Sequence, residues 1–133
     1  MTPVFLDTVG LLALWDTSDQ WHEVAENAYQ RIVSSRQPVT TTTFILLECG
    51  NATARRTYRE DVCILRRTLE LRNEVIIPTD DDWNIAWNAY QQGQAGMAGI
   101  VDYVSFAVMH RLGIRQAFTN DRHFQEAGFE TLF

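Results

Sequence analysis

Apolar residues recur along the chain in two rhythms: short unbroken runs, and a return every three or four positions. Val4-Phe5-Leu6 is an unbroken run that stops at Asp7, the pattern of a buried strand. A helix is expected to follow through Leu11, Leu12 and Leu14. A second helix is predicted from about Asp19 to Ser35, because Trp21, Ala25, Ala28 and Ile32 share one helical face and Ser18 can cap its start. Pro38-Val39-Thr40 reads as the second strand, and Thr43 to about Arg56 as a helix capped by Thr42 or Thr43. Arg59–Arg72 reads as a helix buried through Val62, Leu65 and Leu69, with Ile64 and Leu71 as further candidates. Glu74-Val75-Ile76-Ile77, closed by Pro78, is the third strand. Thr79 and Asp80 open a helix carrying Trp83, Ala86, Trp87 and Tyr90. Asp81 and Asp82 sit in its first turn, where acidic side chains favour the positive helix end.

Gly93, Gly96 and Gly99 mark a loop, and no GK[ST] follows to make it a nucleotide-phosphate loop. A short helix, Asp102 to Met109, leads to strand Gln116-Ala117-Phe118. Thr119-Asn120-Asp121 turns into a brief helix, Arg122 to Ala127, and Gly128 precedes a last strand over 129–133. Strands separated by helices imply parallel pairing with right-handed crossovers. The expectation is an α/β/α layered fold in a single domain, 1–133.

Composition narrows the class. With 46% hydrophobic and 21% charged residues the chain reads as globular. Its longest apolar runs, such as Val9–Trp15, fall well short of the ~20 residues of a membrane helix. Met1-Thr2-Pro3 lacks a basic leader and Asp7 interrupts the first apolar stretch, so a cytoplasmic protein without signal peptide is expected. Cys49 and Cys63 have no CxxC partner and read as buried thiols, not a zinc site or disulfide. The net charge of −6 argues against a generally basic nucleic-acid surface. However, all eleven basic residues are arginine, and six (Arg55, Arg56, Arg59, Arg66, Arg67, Arg72) lie close together. Arg55, Arg56 and Arg59 are therefore candidate phosphate contacts, a solvated helix face being the other reading.

Function in a parallel sheet collects at the carboxyl ends of its strands. Asp7 ends the first strand, Asp121 lies just beyond Phe118-Thr119, and Asp102 opens a helix that must begin at the same rim. Glu48 sits a turn and a half into the helix from Thr43. Singly, each Asp could be a helix cap. Glu48 is harder to dismiss, since it interrupts the apolar run Phe44-Ile45-Leu46-Leu47-Glu48-Cys49. Four carboxylates on one rim would repel one another unless a cation compensates. Oxygen ligands without Cys or His suit Mg²⁺ or Mn²⁺, and the chemistry this fits is in-line hydrolysis of a phosphodiester.

These residues resemble the PIN-domain nucleases, and within them the VapC-type toxin ribonucleases. Val4-Phe5-Leu6-Asp7-Thr8 is similar to the family's first motif, and Thr43-Phe44-Ile45-Leu46-Leu47-Glu48 to its second. Val101-Asp102-Tyr103-Val104-Ser105-Phe106-Ala107 resembles the third, and Thr119-Asn120-Asp121-Arg122-His123-Phe124 with Gly128-Phe129 the fourth. The resemblance implies a compact α/β/α sandwich with a central parallel sheet of about five strands. It also implies that Asp7, Glu48, Asp102 and Asp121 are the catalytic carboxylates, with Asp7, Asp102 and Asp121 nearest a Mg²⁺ or Mn²⁺ ion. Thr119 would hydrogen-bond within the site, and Thr8 or Asn120 would help position a ligating oxygen or water.

The activity implied is metal-dependent cleavage of single-stranded RNA, of the tRNA or rRNA class, by the toxin of a toxin–antitoxin pair. Such toxins are typically homodimers restrained by a small antitoxin. The alternatives are a PIN-like nuclease of RNA processing without an antitoxin, and a non-catalytic binding module of the same fold. Two features depart from the pattern. The acidic charge balance leaves RNA binding to the metal and the local arginines, and Tyr103 replaces the small residue expected after Asp102, which would narrow the pocket or stack on a base. His123 is read as a surface residue, with contact to the leaving phosphate as the sharper alternative. His22 and His110 have no visible partner. Trp83, Trp87 and Tyr90 read as core or interface, and Trp15 and Trp21 as dimer or antitoxin contacts.

Overall fold

In the computed structural model, which describes residues 1–133, five strands alternate with seven helices. The strands are β1 (Val4–Leu6), β2 (Val39–Thr42), β3 (Val75–Ile76), β4 (Gln116–Phe118) and β5 (Glu130–Thr131). They form one parallel sheet in the order β3-β2-β1-β4-β5. β1 lies at its centre and all three of its residues are buried, as an unbroken apolar run requires. From β1 the chain steps outward to β2 and β3, then crosses back to β4 on the other side. Between β1 and β4 the order reverses, the point at which an open parallel sheet characteristically leaves a crevice at its strand ends.

The helices are α1 (Thr8–Trp15), α2 (His22–Ser34), α3 (Thr43–Thr53), α4 (Arg59–Leu71), α5 (Asp80–Gln92), α6 (Ile100–Leu112) and α7 (Arg122–Glu126). Right-handed crossovers assign α1–α4 to one face of the sheet and α5–α7 to the other. The helix packing follows this division: α1 meets α2 and α3, α3 meets α4, α5 meets α6, and α6 meets α7. Phe5, Leu6, Ile45, Leu69, Met109, Phe118 and Phe124 are fully buried between the layers. Each contributes about 1.5–3 kcal/mol by leaving water. No helix is long and apolar enough to cross a membrane.

Gly10 sets how closely α1 approaches the sheet. A Cβ at this position would stand 2.0 Å from the carbonyl oxygen of Phe118. The helix that follows β1 is thereby pressed onto the end of β4, which brings Asp7 against the residues after Phe118.

Several elements differ from expectation. α2 begins at His22 instead of Asp19, because the Ser18 backbone and hydroxyl both donate to Asp16 Oδ1 in the preceding turn. On α4, Val62, Leu65 and Leu69 make the inward stripe, whereas Ile64 and Leu71 are exposed. Those two lie about 180° around the helix from Val62 and Leu69. Cys49 is buried, and burial pushes its thiol up to about 12, but Cys63 is only half-buried. α6 is longer than predicted and starts after Gly99, so Asp102 lies inside its first turn and is not the N-cap residue. β5 is confined to Glu130–Thr131.

The acidic turn of α5 is structural at Asp82, which forms a capping box with Thr79 and a two-pronged ion pair with Arg111. Tyr103 lines a hollow with Ile85, Ala89 and Phe106, apart from the four candidate acids, and offers no free face to a base. It is buried, and its hydroxyl accepts a hydrogen bond from the Ala95 backbone, pinning the glycine loop. Trp83, Trp87 and Tyr90 are half-exposed and meet edge to face, continuing from Phe44 toward Tyr103.

Candidate active site

The crevice between β1 and β4 is built from the residues that end each strand. Asp7 follows β1, caps α1 and is 1% exposed. Its Oδ2 accepts hydrogen bonds from the Thr119 hydroxyl (2.8 Å) and the Val9 backbone (3.3 Å). Thr119, fully buried just beyond β4, turns its Oγ1 outward a second time to accept from the Asp121 backbone at 3.1 Å. Asp121 caps α7, and its Oδ1 accepts from the His123 backbone at 2.9 Å. One hydroxyl thus holds together the first and last carboxylates of the site.

The other two acids come from helices. Glu48 lies on α3, where its Oε1 accepts from the Thr8 hydroxyl at 2.6 Å. Asp102 lies in the first turn of α6. Its carboxylate, that of Asp121 and a ring nitrogen of His123 all lie within 4.8 Å of one another. Asp7 is not in that tight group, yet it shares its field. Burial and the Asp102 charge push the Asp7 carboxyl up to about 7, with Asp121 adding to the effect against the two hydrogen bonds. Asp102 is pushed up to about 6, first by burial, then by Asp121 and Glu48, with His123 pulling the other way. The four acids therefore form one electrostatic group.

Both carboxyls are raised first by burial and then by their acidic neighbours, so negative charge in this site is poorly screened by solvent. A small divalent cation would offset that charge, and an oxygen-rich donor set suits one. Asn120 is half-buried beside Asp121 and makes no side-chain hydrogen bond. Arg55 and Arg56 are not brought to the acids. They lie past the far end of α3, in a surface hollow of about 520 Å³ that also includes Trp15, Asp16, Tyr58 and Asp61. Arg59 opens the next helix, α4.

His123 is the site residue least visible in the sequence: nothing in Asn120-Asp121-Arg122-His123 distinguishes a side chain that turns inward from one that faces water. The other histidines are otherwise engaged. His22 bridges Ala13 O and Glu26, and His110 stacks on Phe129.

Comparison with known proteins bears on the fold and the family. The fold is similar to the crystal structure of VapC20 from Mycobacterium tuberculosis, described as a Sarcin-Ricin loop cleaving toxin. The likeness has a TM-score of 0.76 and 29% sequence identity over 95% of each chain. No curated protein matches the sequence. Residues 4–130 match the family model of the PIN domain, and the chain therefore belongs to the PIN domain family.

Proposed function

We propose that the protein is a Mg²⁺- or Mn²⁺-dependent endoribonuclease that hydrolyses phosphodiester bonds of single-stranded RNA, and that it is the toxin of a toxin–antitoxin pair. The observation that carries this reading is the convergence of Asp7, Glu48, Asp102 and Asp121 at the β1–β4 crevice, with two of them held well above the usual carboxylate range. Asp102 and Asp121 would hold the cation, with Asp7 behind them. When bound, such an ion lowers the pKa of water and offsets the negative charge of the phosphate.

The chain's own residues do the rest. Thr119 and the Val9 backbone fix Asp7 so that its remaining oxygen keeps one direction. Thr8 holds Glu48 by Oε1, leaving Oε2 to orient an attacking water and accept its proton. Asn120, with no partner in the chain, stands where it can hydrogen-bond substrate or water. Arg55, Arg56 and Arg59 would meet phosphates away from the cleaved bond.

The likeness to VapC20, described as a Sarcin-Ricin loop cleaving toxin, supports ribosomal RNA over tRNA as the first substrate to try. A cytoplasmic homodimer restrained by a small antitoxin completes the proposal and follows from the family resemblance. A processing nuclease of the same chemistry would lack that antitoxin. A small neighbouring gene whose product binds the protein tightly separates the two. The activity test is purified protein with a panel of rRNA and tRNA fragments, with Mn²⁺ or EDTA, beside Asp7→Asn. Cleavage that needs metal and disappears in the variant is expected. Cleavage unchanged by EDTA, or full activity in Asp7→Asn, would overturn the assignment.

A further inference from the structure

We propose that His123 is itself a ligand of the cation held by Asp102 and Asp121, making the site a mixed nitrogen–oxygen one that favours Mn²⁺ and later divalent metals over Mg²⁺. This rests on the metal-site reading above and adds to it a residue and a metal preference.

The spacing is the first argument. His123 Nδ1 lies 2.8 Å from Asp121 Oδ1. Neighbouring ligands of an octahedral ion bonded at about 2.1 Å stand about 3 Å apart, so both atoms can sit on one edge of such a shell. Asp102 completes a triangle whose ligand atoms are all within 4.8 Å of one another, small enough for a single ion to span with modest side-chain movement.

The second argument is how firmly the imidazole is placed. Asp121 caps α7 and accepts the His123 backbone N–H at 2.9 Å, which fixes the main chain from which the ring projects. The next residue, Phe124, is fully buried and packs edge-on against Phe106, at a centroid distance of 4.9 Å. Phe106 belongs to α6, the helix that also carries Asp102. This packing contact therefore joins the helix that carries the carboxylate to the helix that carries the imidazole.

Third, the ring has no other use in the fold. Its only polar contact is with Asp121, and Nε2 makes no hydrogen bond within the chain. His22, by contrast, spends both ring nitrogens on Ala13 and Glu26.

The chemical consequence follows from donor type. Mg²⁺ takes oxygen ligands and holds its waters, whereas imidazole suits later first-row ions, whose affinities rise from Mn²⁺ through Co²⁺ and Ni²⁺. Replacing one oxygen of the shell by His123 nitrogen therefore costs Mg²⁺ relative affinity and gives it to the others.

A proton shared between Nδ1 and Oδ1 would satisfy the same 2.8 Å spacing, with His123 only positioning Asp121. Electron spin echo modulation of Mn²⁺ bound to the intact protein separates the two, because only a directly bonded imidazole gives strong nitrogen modulation. Wild-type protein should show it, and His123→Ala and His123→Asp should not. His123→Ala should weaken Mn²⁺ and Co²⁺ binding by about tenfold or more and Mg²⁺ binding less. His123→Asp, which restores an oxygen donor, should bind Mg²⁺ at least as well as wild type while losing Co²⁺ affinity. Melting curves of both variants check that the fold is kept. Mn²⁺ bound without nitrogen modulation, or an unchanged metal preference in His123→Ala, would overturn the proposal and leave the nuclease reading standing. No Mn²⁺ binding by wild-type protein would overturn both.

Discussion

The Thr119 hydroxyl donates to Asp7 Oδ2 across 2.8 Å, joining residues 112 positions apart in the chain. It lies one step beyond the Leu6–Phe118 pair that ends the β1–β4 register, so two neighbouring strands hand their next residues directly to each other. The same oxygen accepts from the Asp121 backbone, making Thr119 the joint between the two acid-bearing turns.

Replacing Thr119 with Val keeps the volume and removes the hydroxyl. Asp7 and the Asp121 N–H are then each left short of a partner in a buried place, at about 1–3 kcal/mol per unsatisfied group. The expected result is a lower melting temperature together with weaker Mn²⁺ binding and at least a tenfold loss of RNA cleavage. Wild-type activity in a destabilised Thr119→Val protein would confine the residue to a structural role.

Stability of the metal-free protein should fall as pH rises. Asp7 and Asp102 titrate near 7 and 6 in the fold but near 3.8 once unfolded. Between about pH 4 and pH 7 the folded state therefore holds protons that the unfolded chain has released, and raising the pH across that window favours unfolding. Urea denaturation in EDTA should show a lower midpoint at pH 8 than at pH 5. Asp7→Asn should flatten the difference, and Mn²⁺ should raise the pH 8 midpoint. A midpoint that rises from pH 5 to pH 8 would contradict the combined burial and crowding of these acids.

Gly10→Ala tests the close approach of α1. Alanine gains about 1 kcal/mol in helix propensity over glycine. Against this, the new methyl would meet the Phe118 backbone oxygen at 2.0 Å, and neither backbone can swing aside as a side chain could. Overpacking costs about 1–3 kcal/mol or more. Net destabilisation and loss of cleavage, through displaced Asp7, are expected in thermal melts and RNA assays. A variant as stable and active as wild type would show that α1 does not set the site.

Neutralising Arg55, Arg56 and Arg59 together should weaken RNA binding without altering Mn²⁺ affinity, since the cluster lies beyond the far end of α3 from the acids. Each RNA phosphate that no longer meets an arginine should reduce the slope of log affinity against log salt by about 0.7 for a single strand. Filter binding at several salt concentrations reads this slope. An unaltered slope returns the arginines to a solvated face.

Much of this arrangement is legible in the linear chain wherever local chemistry and topology coincide. Val4-Phe5-Leu6-Asp7 announces a buried strand ending in an acid, and Phe118-Thr119-Asn120-Asp121 repeats the device, so parallel pairing alone brings Asp7 and Asp121 to one rim. What is not legible depends on how helices meet. Asp102 resembles a cap in sequence, but Gly99 starts α6 earlier, which places Asp102 inside the first turn, within the field of Asp121. Tyr103 looks available until the Ala95 backbone claims its hydroxyl. His123 joins the site through tertiary packing, with Phe124 set against Phe106 of α6, which the linear chain does not display. Ile64 and Leu71 are apolar yet exposed, and composition cannot separate them from Val62 and Leu69 on the opposite side of the same helix.

The gathering of acids around one divalent cation is tested most directly by calorimetric titration of the purified protein with Mn²⁺, beside Asp102→Asn and Asp121→Asn. Wild-type protein should bind the ion, and each variant should lose at least about tenfold in affinity while keeping its fold. Equal binding by all three proteins, or no binding by the wild type at millimolar Mn²⁺, would contradict the account.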